Sequence, residues 1–217
     1  MNRNYSWVYR SHTAAACVLA LLLLSGCSLP RIIILNDPLS ADEHNNLGKI
    51  YESQGKFDLA AQQYREALKK DKKSVTALLL LGDLSYRTRN YAEAASAYKK
   101  AIKLEPGNGD LYNNLCWVYL EQQSGMEKAE ELIKIAITLT PEHRAYYLDT
   151  FGVVLLRLGR TAESITALKE ALELLPKDNA GYLAEAYLHL AEAYRTAGDT
   201  ASAGEAEQSA EQYRAMK

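Results

Sequence analysis

The sequence predicts an all-α fold built from a repeated helix–turn–helix unit. Three observations predict it. Residues 75–108 form one complete unit, with two helical patterns separated by a polar break and closed by Pro-Gly. The same pattern recurs in units of 34 or 35 residues over most of the chain, in repeats 41–74, 75–108, 109–143, 145–178 and 184–217. Small residues return at equivalent slots in each copy. A unit of this length cannot bury its apolar face alone, so neighbouring copies must stack into one continuous core.

The clearest copy opens with Val75–Arg87, breaks at Thr88-Arg89-Asn90 and resumes over Tyr91–Leu104. It stops at Glu105-Pro106-Gly107-Asn108, because Pro cannot continue a helix and Gly releases the chain from one. Gly82 and Ala94 are small enough for the two helices to approach closely, and Tyr98 with Ala101 pairs large against small. The copy before it carries Leu47, Gly48, Tyr51, Gly55, Phe57, Ala60, Tyr64 and Ala67, with Lys72 where a closing Pro would stand. The capping box Ser40-Ala41-Asp42-Glu43 opens that copy. The third copy has Leu115, Cys116, Tyr119, Ala129, Ile133, Ala136 and Pro141, with one extra residue in the turn Gln122–Gly125. The fourth has Phe151, Gly152, Leu155, Gly159, Leu168, Ala171 and Pro176, and Ser164 in the usual Ala slot. The fifth has Leu190, Ala191, Tyr194, Gly198, Ala203 and Ala210. Its second helix is poor in large apolar residues, as expected of a solvated terminal cap.

These residues resemble the tetratricopeptide repeat (TPR), over roughly four-fifths of the chain. The resemblance implies a right-handed superhelical solenoid of about five helix–turn–helix repeats, with the first helix of each repeat lining a concave side. It implies a protein that binds protein or peptide partners through that groove.

Residues 1–26 differ in kind. Arg3 and Arg10 with no acid precede the apolar run Ala14–Leu24, and Ser25-Gly26-Cys27 follows. A basic start, a short apolar core and small residues read as a secretory signal. The run is too short for a comfortable span of about 20 residues. Leu24-Ser25-Gly26-Cys27 resembles the bacterial lipobox, which implies cleavage before Cys27 and acylation of its thiol, palmitate among the acyl chains. An ordinary cleaved signal and an uncleaved anchor are the alternatives. Ser28 after the Cys leans toward the outer membrane under the enteric sorting rule. Residues 27–40 form a lipidated tether with Pro30 and Pro38 around Ile32-Ile33-Ile34-Leu35. Those four residues either pack on the first repeat or engage a partner.

The precursor's formal charge is −2, and loss of Arg3 and Arg10 takes the mature chain to about −4, a balance that argues against nucleic acid. Cys17 leaves with the signal and Cys27 is lipidated, so Cys116 is the remaining thiol, in a slot for a small buried residue. His44, His143 and His189 fall in different repeats without metal-ligand spacing. There is no phosphate-cradling Gly-rich loop and no nucleophile elbow. The expectation is a protein with no catalytic site, metal or cofactor.

Transferring the family's inward-facing positions residue by residue gives a candidate partner groove. It comprises Asn45 and Lys49 in the first repeat, Asp83, Tyr86 and Arg87 in the second, and Asn113, Asn114 and Trp117 in the third. Asp149 and Arg157 follow in the fourth, and Arg195 in the fifth. Glu52, Leu79, Glu121, Val153 and Glu192 are further inward-facing positions. The Asn side chains suit an extended backbone, Tyr86 and Trp117 an apolar side chain, and the Arg residues carboxylates. Trp117 equally suits packing between adjacent first helices. The family's clamp for chaperone C-termini needs a Lys/Asn/Asn/Lys/Arg set. Asn45, Lys49, Leu80, Asp110 and Asn114 stand there instead and do not match it. The expected role is a lipid-anchored scaffold facing the periplasm, in an envelope assembly, secretion or maintenance system. The rivals are a structural subunit using another face, and an adaptor to a partner enzyme.

Overall fold

A computed structural model describes residues 37–216. The described residues belong almost wholly to one compact unit, Leu39–Lys217. The signal, Cys27 and the Ile32–Leu35 run lie outside the described residues.

Ten α-helices follow one another among the described residues, without a strand. They pair as α1 (Ala41–Ser53) with α2 (Phe57–Lys70), α3 (Val75–Arg87) with α4 (Tyr91–Leu104), and α5 (Gly109–Glu121) with α6 (Met126–Leu139). A 3₁₀ turn, Pro141–His143, leads into α7 (Arg144–Arg157) and α8 (Thr161–Leu174), and α9 (Ala180–Ala197) with α10 (Thr200–Ala215) closes the array. This is a solenoid of paired helices in about five units.

Local chemistry sets the helix ends. At α1, Ser40 Oγ accepts from the Glu43 N–H and the Glu43 carboxylate accepts from the Ser40 N–H at 2.8 Å, so the capping box is complete. Ser74, Asn90, Asn108, Asn179 and Asp199 cap later helices with a side-chain oxygen that accepts from a first-turn N–H. The turn inside each unit puts a residue in the left-handed region, and the third unit puts two there, Gln123 and Gly125. Gly55, Gly159 and Gly198 occupy it at φ 71°, 75° and 82°. Arg89 and Gln123 hold the equivalent place at φ 61° and 49°, where an L side chain is strained.

Within each unit a small residue on the first helix receives a large one from the second. A Cβ on Gly48 would lie 2.3 Å from the Tyr64 ring, one on Gly82 2.6 Å from the Tyr98 ring, and one on Gly152 2.5 Å from Leu168 Cγ. In the third unit Cys116 and Ile133 take these two places, and both are fully buried. Burial pushes the Cys116 thiol up to about 12, so it is an inert packing residue. Ser164 repays its place in an Ala slot by donating to the Gly152 carbonyl at 2.7 Å while fully buried.

Between units, Leu84, Val118, Val154 and Ala193 are buried at one repeating position of the first helices. Ile50, the same position in α1, is 52% exposed, since among the described residues no earlier repeat stacks on it. The fifth unit departs from the expected boundary at residue 184. Helix α9 starts at Ala180, because Asn179 accepts from the Tyr182 N–H and begins the helix one turn earlier. The closing helix α10 buries only Ala203, Ala206 and Ala210, in keeping with a solvated end.

Candidate functional site

The first helices of successive units, α3, α5, α7 and α9, line a cleft of about 600 Å³. A smaller cleft of about 220 Å³ lies beside it, lined by Asp83, Tyr86, Arg87 and Tyr98 of the second unit. Asn114 and Trp117 border both, so the two form one trough.

The repeat geometry builds the floor. The buried tyrosines at the second-helix position reach through to carboxylates on the trough side. Tyr98 donates to Asp83 at 2.7 Å, and Tyr64 donates to Glu52 at 2.7 Å. Burial raises the Asp83 carboxyl above its ordinary value, and the Tyr98 hydroxyl offsets part of that cost. Asn114 Nδ2 lies 3.4 Å from Asp83 Oδ1. Trp117 donates from its indole N–H to Thr150 at 3.1 Å, and its ring lies 6.2 Å from that of His189. Trp117 therefore does both things the sequence allowed: it packs between neighbouring first helices and it presents a face to the trough.

Two His–Asp pairs close the far end. His189 lies 2.9 Å from Asp149, and His143 lies 2.9 Å from Asp110, which also accepts from Tyr147 at 2.7 Å. Burial alone would lower the His189 pKa. The hydrogen bond and charge of Asp149, with Glu185 and Glu192 nearby, more than offset this and raise it. Tyr146 and Tyr182 meet edge to face at 4.7 Å to form an aromatic wall.

The sequence-derived groove residues separate into three groups. Asp83, Tyr86, Arg87, Asn113, Asn114, Trp117 and Asp149 line the trough. Arg157 and Arg195 stand beyond it, paired with Glu192 and Glu207. Lys49 is exposed on α1, outside the trough, whereas Asn45 is only 3% exposed and its amide has no hydrogen-bond partner. Val153 turns into the core instead of facing the groove.

Sequence reasoning missed Asp110, His143, Tyr146 and Tyr182 as lining residues. They sit at the starts of first helices or between repeats, where a repeat pattern carries no signal. The Arg residues also behave differently from expectation. Arg87 pairs with Glu52 and Arg157 with Glu192, each 35 residues away in the neighbouring unit. They are tied within the protein. Among the described residues, no group of three or more His, Cys, Asp or Glu is placed to hold a metal, and no helix is long and apolar enough to cross a membrane.

The paired-helix period, the small-to-large packing between the two helices of each unit and the trough on the first helices define a class of protein. The tetratricopeptide repeat family model matches residues 45–110 and 150–215, and a second tetratricopeptide repeat model matches 87–148. The chain belongs to the tetratricopeptide repeat family.

Particular relatives share the repeats. Protein O-mannosyl-transferase Tmtc3 of Drosophila melanogaster is 26% identical over 137 residues, 57% of this chain but 15% of that protein. The chain thus spans under a fifth of the length of such relatives, about 15–18%. Type IV pilus assembly protein PilF of Pseudomonas aeruginosa is 29% identical over 96 residues, 43% of this chain and 38% of that protein. Among solved structures, PilW, a widely conserved type IV pilus biogenesis factor, superposes with a TM-score of 0.71 at 17% identity, covering 80% of this chain and 77% of its own. YrrB, a TPR protein with an unusual peptide-binding site, gives 0.58 at 22% identity, with 80% and 86% covered. At these identities the structural likeness speaks to the fold alone.

Proposed function

We propose that this protein is a non-enzymatic scaffold, held at a bacterial membrane by lipid on Cys27, that recruits a protein partner by binding an extended segment in the first-helix trough. The observation that carries the reading is the trough itself. Trp117, Tyr146 and Tyr182 offer apolar faces, and Asn113 and Asn114 stand among them to meet a peptide backbone. The lipobox-like Leu24–Cys27 supports the anchor, with residues 1–26 as the signal and 27–40 as the tether. Anchoring raises the local concentration of the scaffold, so a modest groove affinity suffices. The roles of PilF and PilW in type IV pilus assembly and biogenesis support an envelope assembly as the setting, at the outer membrane on its periplasmic side.

The test is affinity capture from detergent-solubilised membranes with the native chain and the Tyr86→Ala/Asn114→Ala form, compared by mass spectrometry. Partners lost only with the altered trough support recruitment through it. Partners retained by both forms transfer the role to another face, as in a structural subunit. For the anchor, Cys27→Ala is expected to abolish acylation and release the protein from membranes; unchanged retention would refute it.

A further inference from the structure

The trough has a one-sided chemistry. Several of its hydrogen-bond donors are engaged inside the protein. The Trp117 N–H goes to Thr150, the Tyr147 hydroxyl to Asp110, and the Asn114 amide lies toward Asp83. Its acceptors are not used up. Asp83, Asp110 and Asp149 carry formal negative charge, and the Oδ1 of Asn113 is buried with no hydrogen-bond partner. Among the described residues, no Lys or Arg lines the larger cleft. The one Arg of the smaller cleft, Arg87, is ion-paired with Glu52. Glu121, on α5, is met by the hydroxyls of Tyr86 and Tyr91. The carboxylates are thus answered by neutral groups and imidazoles, while aromatic faces stand beside them.

We infer that the occupant of the trough is a basic peptide segment, an extended stretch in which arginine or lysine neighbours an apolar residue. The inference rests on the trough being the partner site. The geometry fits each part of such a segment. The apolar side chain enters between Trp117 and the Tyr146–Tyr182 wall. The cation meets Asp110 or Asp149, and arginine is favoured because its planar group can lie on an aromatic face while forking to a carboxylate. An acidic segment would bring like charges together in a partly desolvated cleft, which opposes binding. The sequence alone suggested the reverse, since the groove arginines appeared available for carboxylates.

The experiment selects phage-displayed random dodecapeptides on the full-length chain in detergent micelles. Enriched peptides are then synthesised and titrated by fluorescence anisotropy. The expected winners carry net positive charge and at least one aromatic or large aliphatic residue. Their affinity should fall about tenfold or more in Asp110→Asn/Asp149→Asn, and steeply as salt rises. Those substitutions keep shape and remove charge, and matched thermal midpoints verify that the variant is folded. Winners that are neutral or acidic, yet lost with Tyr86→Ala/Asn114→Ala, would overturn the basic-segment inference and leave the trough as the site. Basic winners bound equally by the Asp→Asn form would do the same. Winners indifferent to Tyr86→Ala/Asn114→Ala, or no enrichment at all, would overturn the trough reading and this inference with it.

Discussion

Replacing Tyr98 by Phe isolates the contact that links the fold to the trough. Tyr98 is 2% exposed, and its hydroxyl donates at 2.7 Å to Asp83, whose carboxyl burial already raises. Phe keeps the ring against Gly82 and removes only that donor. A hydrogen bond to a charged group contributes about 1.5–3 kcal/mol. Asn114 Nδ2, at 3.4 Å from Asp83, is too long to replace it. Tyr98→Phe should therefore lose about 1.5–3 kcal/mol at pH 7, a drop of several degrees in Tm for a domain of this size. Adding Asp83→Asn removes the buried charge, so the double variant should recover most of the loss. Asp83→Asn alone should be neutral or stabilising at pH 7, because a carboxyl whose pKa is raised on folding favours the native state only at acidic pH. Chemical denaturation of the four proteins reads the coupling directly. A Tyr98→Phe protein within about 0.5 kcal/mol of the parent, or a double variant no better than Tyr98→Phe, would refute the argument.

Three further outcomes follow from the geometry. Arg89→Gly should stabilise the chain by up to about 1 kcal/mol, because φ 61° strains Arg and not Gly; a lower thermal midpoint would contradict this. Gly152→Ala should destabilise by about 1–3 kcal/mol, since its Cβ would fall 2.5 Å from the fully buried Leu168. In the Leu168→Ala background the same change should cost much less, and equal costs would exclude the clash as the cause. The stability lost in His189→Gln should be greatest below the ordinary histidine value of 6.5 and should shrink as pH rises through the raised folded value. A difference that grew with pH, in denaturation curves from pH 5 to 9, would reverse the assigned sign.

The repeats and their packing were legible in the sequence for a local reason. Helix periodicity, the Ser40–Glu43 cap, the Gly slots and the burial of Cys116 each depend on residues within one unit or on the same slot in the next. The repeating unit brings these residues to the same structural places each time, so a linear pattern suffices. The left-handed turn shows where that pattern thins. Glycine marks it at three units, and only the backbone reveals that Arg89 and Gln123 adopt it as well.

The tertiary structure alone decided the character of the trough. Whether Arg87 greets a ligand or Glu52 depends on how one unit is stacked on the next, and that rotation has no signature in either residue's neighbours. The same holds for Asp110, Tyr146 and Tyr182, which converge from three helices although they occupy no repeating ligand position. A repeat sequence encodes the unit and the fact of stacking. The charge left open at the surface is settled by which side chains meet across units, and that follows from the geometry of the stack.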